Sequence, residues 1–393
     1  MSGLYSRRQF LGNSLVVGCS AAASPLITPV TLAAVPGEAR LVVIILRGAM
    51  DGLDAVQPYG DKDFALHRHT LPVGPDAGAE DLDGFFALNQ GLGDIMPMWR
   101  NEELGFAHAV STPYRDKRSH FDGQDVLETG VSNNISSNSE GWLNRALSLI
   151  PHARAETALA VGRNNMLLLK GDAPTVSWSP DIDMELSDHG RSLLDLIYAD
   201  DPLFHAASAQ AIDLSQKMDS ARGMTSSKAQ RAKSLASFAA QQLNDEARIA
   251  AFSIGGWDTH RGQKNALPKA LKQLGVSLTT LKEGLGRNWT KTIVLAMTEF
   301  GRTVRENGAG GTDHGTGGAM ILAGGGLRGG KVYHDWPGLG ESDLYGQRDL
   351  MPTRDVRAYA AWALRAQFGL TSNDLEQLVF PGLDMGIDPS ISA

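Results

Sequence analysis

The sequence is almost without cysteine. Its single cysteine, Cys19, lies close to the N-terminus of a chain of 393 residues. A disulfide needs two cysteines and a thiolate metal site needs several, so the rest of the chain can form neither. Any metal ion that this chain binds must therefore be held by oxygen and nitrogen atoms, chiefly those of carboxylates and imidazoles.

An excess of positive charge is also missing. The formal net charge is −8 and the isoelectric point is about 5.7, whereas binding to nucleic acid requires a basic face that neutralises phosphates. The sequence therefore predicts no nucleic-acid partner.

Beyond the N-terminal region, no stretch approaches the roughly 20 consecutive apolar residues that span a bilayer, so no transmembrane span is predicted. The remaining composition, 42% hydrophobic and 20% charged, is typical of a globular protein.

The N-terminus resembles a twin-arginine export signal of bacteria. Arg7 and Arg8 precede an apolar stretch at residues 15–27, and small residues follow it. We expect residues 1–34 to be a signal peptide that the twin-arginine translocase recognises, and the protein to be periplasmic or otherwise exported. Two alternatives stay open: a lipid anchor on Cys19, which ends a possible lipoprotein cleavage box, and an ordinary amphipathic helix with two arginines.

Strand and helix patterns alternate along the rest of the chain. Residues 41–46 form a continuous apolar, β-branched run, as expected of a parallel strand buried on both faces. Further strands are predicted at 105–110, 157–161, 249–254, 292–297 and 319–323, and helices at 92–100, 141–149, 193–198, 202–244, 264–286 and 353–368. The alternation predicts one α/β domain over residues 35–393, with a mostly parallel central sheet covered by helices on both faces and a helical insertion around 200–245.

Polar residues follow the ends of several predicted strands. Ligands of an open α/β sheet bind beyond the carboxyl ends of its strands, so these residues are candidates for one shared site. They are Asp51, Ser119, Asp258, His260, Glu299, Asp313 and His314. Asp51 is also compatible with a plain turn and Ser119 with a helix N-cap. Glu299 is compatible with an ion pair to Arg302.

Six stretches of sequence carry a resemblance to a known family. They are Leu46-Arg47-Gly48-Ala49-Met50-Asp51-Gly52-Leu53-Asp54 with Pro58-Tyr59, Arg118-Ser119-His120-Phe121-Asp122-Gly123-Gln124-Asp125 with Glu128-Thr129-Gly130, Gly256-Trp257-Asp258-Thr259-His260, Thr298-Glu299-Phe300-Gly301-Arg302-Thr303, Thr312-Asp313-His314-Gly315 and Val379-Phe380-Pro381-Gly382. On these stretches the chain resembles exported bacterial proteins grouped as domain of unknown function 1501 (DUF1501). That family is in turn similar to the alkaline phosphatase and sulfatase superfamily, which implies an alkaline-phosphatase-like α/β fold.

The resemblance also implies a centre of two divalent metal ions. One ion would be bound by Asp51 with Glu299 or Asp313, and the other by Asp258, His260 and His314. Only one residue separates Asp258 from His260, where the superfamily usually has three, so the assignment of carboxylates to ions stays open. The nitrogen and oxygen ligands favour zinc or manganese, with magnesium or calcium as alternatives.

The nucleophile is expected after the second strand. The resemblance implies that Ser119 has this role, because it lies at an expected helix start where the N-terminus favours an anion. Arg118, Arg302 or His334 would contact the transferred group. Two divalent ions about 4 Å apart can stabilise both the attacking and the leaving oxygen of a displacement at phosphorus or sulfur.

These features predict an exported, metal-dependent hydrolase of phosphate or sulfate esters, acting on a small anionic ester or a polymer. A non-catalytic role, in which the same fold binds a cell-envelope polymer or a protein partner, is the main alternative. A different metal-dependent reaction, such as phosphonate cleavage or a mutase-type phosphoryl transfer, is the third.

Overall fold

The computed structural model describes residues 38–115, 117–132, 139–162, 166–178 and 228–393. The expected signal peptide at 1–34, the helical pattern at 193–198 and the first part of the expected insertion, 200–227, lie outside the described residues.

Strands within the described residues form one large sheet and one small sheet. The strands are β1 (Arg40–Arg47), β2 (Val56–Gln57), β3 (Glu80–Asp81), β4 (Ala87–Leu88), β5 (Leu104–Ser111), β6 (Ala158–Val161), β7 (Val176–Trp178), β8 (Ile249–Gly255), β9 (Thr292–Met297), β10 (Gly318–Ala323), β11 (Lys331–Tyr333) and β12 (Arg354–Asp355). The large sheet has the order β11-β5-β10-β9-β1-β8-β6-β7, with β12 also paired to β5. Strands β2, β4 and β3 form the small antiparallel sheet.

Helices connect and cover these strands. The α-helices are α1 (Gly52–Ala55), α2 (Phe64–His67), α3 (Met96–Arg100), α4 (His120–Thr129), α5 (Trp142–Leu149), α6 (Lys228–Asn244), α7 (Gln263–Leu285), α8 (Val356–Phe368) and α9 (Ser372–Asp374). Short 3₁₀-helices lie at Pro75–Ala77, Gln90–Ile95, Ala155–Thr157, Leu167–Leu169, Gly286–Lys291 and Glu341–Asp343, and a π-helical turn lies at Leu375–Val379. Among the described residues, no helix combines the length and the apolar character needed to cross a bilayer.

The central strand β1 is buried on both faces, as its apolar run predicts. Val42, Ile44 and Leu46 pack into a core that contains residues of α6 and α7, while the alternating residues face a second core that contains residues of α5 and α8. Successive side chains of a strand point to opposite faces, so a continuous apolar run serves both cores. The prediction of a mostly parallel α/β sheet covered by helices on both faces is confirmed.

One strand of the large sheet runs against the others. β1 is parallel to β8 and β9, and β6 is parallel to β7 and β8, whereas β10 is antiparallel to both β5 and β9. The loop that precedes β10 therefore lies at the same edge of the sheet as the loops that follow β1, β5, β8 and β9. This reversal brings a glycine-rich loop to the carboxyl ends of the parallel strands.

All six predicted strands are present, and each observed bound differs from the predicted one by at most one residue. The helix expected at 92–100 is divided into the 3₁₀-helix Gln90–Ile95 and α3, where Pro97 occupies one of the first two positions, at which a proline is tolerated. The last long helix begins at Val356 rather than at 353, because Asp355 is its N-cap and accepts a hydrogen bond from the Arg357 amide.

Candidate metal centre

Four loops at the carboxyl edge of the large sheet bring side chains together. His120 is the first residue of α4, after the loop that follows β5. Asp258 and His260 lie in the loop after β8, Glu299 follows β9, and His314 lies in the loop before β10. The residues that the sequence singled out in these loops, Asp258, His260, Glu299 and His314, therefore lie at the same edge of the sheet, as predicted.

Three imidazole nitrogens converge on the carboxylate of Asp258. The Nε2 atoms of His260 and His314 lie 3.0 Å and 3.3 Å from Asp258 Oδ1, and the same two nitrogens are 2.9 Å apart. The Nε2 atom of His120 lies 3.7 Å from Asp258 Oδ2. Ligand atoms of His120, Asp258 and His314 all lie within 4.8 Å of one another. Four donor atoms from four loop positions thus face one small region.

The second nitrogen of each histidine is bound to an acceptor. His120 Nδ1 lies 2.8 Å from Glu299 Oε1, and His260 Nδ1 lies 3.0 Å from Asp313 Oδ1. His314 Nδ1 lies 2.9 Å from the backbone oxygen of Arg118. In the neutral tautomer that has its proton on Nδ1, each ring would donate to this acceptor and would leave the Nε2 lone pair available. This is the arrangement of a metal-binding histidine with its outer hydrogen-bond partner.

The donor set fits a divalent metal ion. The separations of 2.9–3.3 Å among the Nε2 atoms and Asp258 Oδ1 resemble the roughly 3.3–3.4 Å between neighbouring ligands of a tetrahedral zinc ion with bonds of about 2.0–2.1 Å. His120 Nε2 is a buried nitrogen without a hydrogen-bond partner, which is unusual for a polar atom shielded from water. Imidazole and carboxylate together suit zinc or manganese.

Glu299 is the buried acceptor beneath His120. Its Oε1 atom also accepts hydrogen bonds from the Gly48 amide at 2.9 Å and from Gln124 Nε2 at 3.2 Å. Burial opposes its ionisation, but the hydrogen bonds led by that of His120 hold the pKa of Glu299 below its usual value. Glu299 in turn raises the pKa of His120. Gly48 has a φ of +122°, and a Cβ there would meet the backbone of Asp258, so a glycine is required for this contact.

Asp313 has the corresponding position beside His260. Asn307 Nδ2 donates to Asp313 Oδ1 at 3.0 Å, and this hydrogen bond, with that of His260, lowers the pKa of Asp313. Burial lowers the pKa of His314, which favours its neutral ring. The structure therefore places Glu299 and Asp313 against the Nδ1 atoms, on the side of each ring away from the converging Nε2 atoms.

Arg302 is a buried cation that contacts Asp258. It is 1% exposed, and its Nη2 atom donates to Asp258 Oδ1. Other donors reach backbone oxygens, with Nε 2.8 Å from that of Ala49 and Nη1 2.7 Å from that of Thr312. Burial opposes ionisation of Asp258, but Arg302 holds its pKa below the usual value. The alternative ion pair between Arg302 and Glu299 is replaced by this contact.

Ser119 is the N-cap of α4 and directly precedes His120. Its Oγ atom accepts a long hydrogen bond of 3.4 Å from the Asp122 amide, and its own amide donates to the Tyr114 hydroxyl at 2.7 Å. The preceding residue, Arg118, has an exposed side chain and a φ of +55°, in the left-handed region that few non-glycine residues adopt. That backbone carries the carbonyl oxygen to which His314 is bound.

Asp51 lies in a separate buried cluster. Arg68 binds it through two nitrogens, at 2.7 Å and 3.2 Å, and Gln263 Nε2 donates to it at 2.7 Å. Its side chain is fully buried. Burial opposes its ionisation, and Arg68 lowers its pKa below the usual value. The positive charge that faces the Asp51 carboxylate in this structure is therefore the guanidinium group of Arg68.

The structure joins most of the residues that the sequence singled out. Asp258, His260 and His314 provide converging atoms, and the carboxylates of Glu299 and Asp313 border them. Asp51 stands apart. His120 was not among the predicted ligands, although it is adjacent to Ser119 in the same polar stretch. The sequence did contain a signal for His120 as a ligand, because this histidine begins a helix directly after a loop at the end of a strand.

Comparison with known proteins adds the following similarities. No curated protein matches the chain. A lipoteichoic acid synthase, LtaP, from Listeria monocytogenes is 11% identical and covers 90% of this chain and 76% of its own, with a TM-score of 0.44. An alkaline phosphatase superfamily protein from Vibrio parahaemolyticus is 11% identical, covering 82% and 70%, with a TM-score of 0.33. The sulfatase PsFucS1 from Pseudoalteromonas sp. is 12% identical, covering 99% and 78%, with a TM-score of 0.41. None of these similarities assigns a role to a residue of this chain.

A family model described as "Protein of unknown function (DUF1501)" matches residues 96–379. That range includes α4, the loops after β8 and β9, and the glycine-rich loop before β10, which together supply every converging donor atom. The chain therefore belongs to the DUF1501 family of proteins of unknown function.

Proposed function

We propose that this protein is an exported, metal-dependent hydrolase of phosphate or sulfate esters. The observation that carries the proposal is the convergence of the Nε2 atoms of His120, His260 and His314 on Asp258, each ring having its Nδ1 bound to an acceptor. The ester class rests on the resemblance of six sequence stretches to the DUF1501 family and on the similarity of that family to the alkaline phosphatase and sulfatase superfamily. Zinc or manganese is the proposed ion.

Four side chains would hold the ion. His120, His260, His314 and Asp258 provide the nitrogen and oxygen donors, while Glu299 and Asp313 orient two of the rings through Nδ1. When bound, a divalent ion supplies Lewis-acid stabilisation of the negative charge on the reacting ester. Arg302 partly offsets the charge of Asp258 from the buried side of the centre.

Ser119 is proposed as the nucleophile. Its Oγ atom would form a bond to phosphorus or sulfur while the bond to the leaving alcohol breaks, and the hydroxyl proton would pass to that alcohol. Water would then release phosphate or sulfate and restore Ser119. The exposed side chain of Arg118 and the N-terminus of α4 favour an anionic substrate at this position.

A turnover assay of metal-loaded protein tests this function. Wild-type protein loaded with zinc or manganese should hydrolyse at least one aryl phosphate monoester, aryl phosphate diester or aryl sulfate. Ser119→Ala should lose turnover by several orders of magnitude yet keep its metal content and its fold, because a nucleophile contributes to chemistry and not to metal affinity. Its stability should fall only by the roughly 0.5–2 kcal/mol that loss of a serine N-cap costs.

Other outcomes distinguish the alternatives. Metal-loaded protein that is folded and turns over none of these esters would support the non-catalytic binding role. A Ser119→Ala variant that stays active would remove Ser119 from the mechanism but leave hydrolysis in place. Loss of metal from a folded variant would identify Ser119 as a metal ligand, and loss of folding would identify it as a structural helix cap.

A further inference from the structure

A buried hydrogen-bond network lies behind the two loops that carry most of the metal-binding atoms. Its members are Asp51, Asp54, Arg68, Thr259, Gln263 and Thr312, each at most 3% exposed. None of them is among the converging donors of the centre.

Gln263, the first residue of α7, is the member that contacts most of the others. Its Nε2 atom donates to Asp51 Oδ2 at 2.7 Å and to Asp54 Oδ2 at 2.9 Å. Its Oε1 atom accepts from Thr259 Oγ1 at 2.9 Å and lies 2.7 Å from Thr312 Oγ1. A primary amide has two N–H donors and two acceptor lone pairs, so the whole hydrogen-bonding capacity of this side chain is used.

The two threonines connect Gln263 to the metal-binding loops. Thr259 lies between Asp258 and His260 in the sequence, and Thr312 comes two residues before His314. One fully buried amide therefore contacts both the loop after β8 and the loop before β10. Because a shift of either threonine would break a hydrogen bond to the same oxygen, the amide couples the positions of the two loops.

Asp51 and Arg68 fix the amide in turn. The carboxylate of Asp51 receives Arg68 in a bidentate pair and also the Asp54 amide at 3.2 Å. Arg68 Nη2 donates further to the Thr303 carbonyl at 3.1 Å. Asp51 Oδ2 accepts from Arg68 and Gln263, and Thr312 Oγ1, whose one proton also faces Gln263 Oε1, lies 3.1 Å away. Polar protein atoms therefore surround that oxygen.

We propose that Gln263 is a positioning residue for the metal centre, and that Asp51 with Arg68 is its anchor. Gln263 holds Asp258 and His260 on one loop in register with His314 on the other, so that their donor atoms are preset at 2.9–3.3 Å before an ion binds. The inference rests on the proposed metal centre, and it assigns Asp51 to support of the loops.

The test compares amide and hydroxyl variants in the same protein. Gln263→Leu removes the coupling amide, and Gln273→Leu is its matched control, because Gln273 lies in the same helix, is 8% exposed and donates only to the Lys269 carbonyl. Thr312→Val removes one hydroxyl from the network at nearly constant shape, and Thr312→Ser restores it. Dissociation constants for Zn²⁺ and the visible absorption bands of Co²⁺-loaded protein are measured for all four.

We expect two of the variants to change the Zn²⁺ dissociation constant and the Co²⁺ bands, and the other two to leave both unchanged. Gln263→Leu and Thr312→Val should raise the Zn²⁺ dissociation constant by about 10- to 100-fold and shift the Co²⁺ bands, as loss of an outer-shell partner does. Gln273→Leu and Thr312→Ser should match wild type in both measurements. If Gln263→Leu folds with wild-type affinity and spectrum, the proposal is overturned. If Gln263→Leu does not fold, Thr312→Val decides in the same way.

A metal-free measurement separates this proposal from the proposed function. If wild-type protein binds no divalent ion, the metal-dependent function fails, but the coupling of the loops still has a readout. Histidine side-chain NMR signals of His260 and His314 should both shift in metal-free Gln263→Leu or Thr312→Val and stay unchanged in Gln273→Leu. If the ring signals of His260 and His314 are the same in wild type, Gln263→Leu and Thr312→Val, the positioning role is overturned.

Discussion

Individual histidines of this protein have contrasting surroundings that fix their chemistry. At the centre, each ring has Nδ1 bound to an acceptor and Nε2 directed at Asp258, so the rings are arranged for ligation. His108, in β5, instead has both nitrogens occupied inside the protein: Nε2 lies 2.9 Å from the Val56 carbonyl and Nδ1 accepts from the Ala109 amide at 2.8 Å. The same residue type therefore offers a converging donor atom in one place and hydrogen-bonds to the backbone in the other.

Removal of His260 should reduce metal binding. Its Nε2 atom is within 3.0 Å of both Asp258 Oδ1 and His314 Nε2, so His260→Ala deletes one of the converging donors. Elemental analysis of purified protein should show clearly less bound metal than wild type. His69→Ala is the control, because His69 is exposed, and its metal content should equal that of wild type. Equal metal in all three proteins would exclude His260 as a ligand.

His108 should make stability depend on pH. Burial lowers its pKa from 6.5 to about 4, so the ring stays neutral when folded and is protonated when unfolded at intermediate pH. Its contribution to stability is fully present above about pH 7 and is lost as pH falls from 6.5 towards 4. The shift corresponds to roughly 3 kcal/mol. Urea unfolding of metal-free His108→Gln should show a smaller drop in unfolding free energy over this range than wild type. Parallel pH profiles for the two proteins would contradict the prediction.

The sequence was sufficient for the candidate site in outline but not for the role of each residue. Asp258, His260 and His314 were singled out because they follow strand ends, and strand ends share an edge. Nothing in the order of residues reveals that Arg68 neutralises Asp51 or that Glu299 faces Nδ1 of His120, since both contacts join segments that meet only after folding. His120 was missed because the adjacent hydroxyl of Ser119 drew the functional assignment.

At the scale of elements, two short segments are aligned so closely that they require glycine. Arg302 and His314 form an isolated antiparallel bridge, and the Gly301 amide donates to the Thr316 carbonyl at 3.0 Å. A Cβ on Gly301 would collide with the backbone of Gly317. The loop before β10 can therefore reach the centre only because no side chain separates it from the segment that follows β9.

An alanine at this position should disturb both stability and the centre. Gly301→Ala should lower the unfolding free energy by roughly 1–3 kcal/mol, as overpacking does, and should weaken metal binding, since His314 moves with the displaced loop. Gly308→Ala is the control, because its Cβ would meet nothing within 4 Å. Chemical denaturation and metal titration measure the two effects. Equal stability of the two variants would show that the loop adjusts without cost.

The element pattern itself was predictable where strands are buried. The apolar runs of β1, β8 and β9 marked them in the sequence because both faces of each strand meet a core. The reversed direction of β10 was not predictable, since its residues Gly318–Ala323 are equally apolar in either orientation. The direction is set by pairing with β5 and β9, which are distant in sequence.

At the scale of the whole molecule, we propose that the chain is exported through the twin-arginine route. Replacing Arg7 and Arg8 with lysine should leave folded protein in the cytoplasm, because that pathway depends on the paired arginines. Cell fractionation and immunoblotting measure the distribution, with a strain that lacks the translocase as the reference. Unchanged export of the lysine variant, or export from the reference strain, would contradict this route.

The distribution of the donor atoms along the chain has a consequence for the order of events in biosynthesis. His120 and its acceptor Glu299 are 179 residues apart, and His314 is 56 residues beyond Asp258. An extended chain leaving the ribosome cannot gather these groups, so it has little affinity for an ion. An ion bound at the proposed centre would enter only after the sheet has assembled, and its binding energy would then add to the stability of the finished fold. The stability of the fold would thus depend on metal supply as well as on packing.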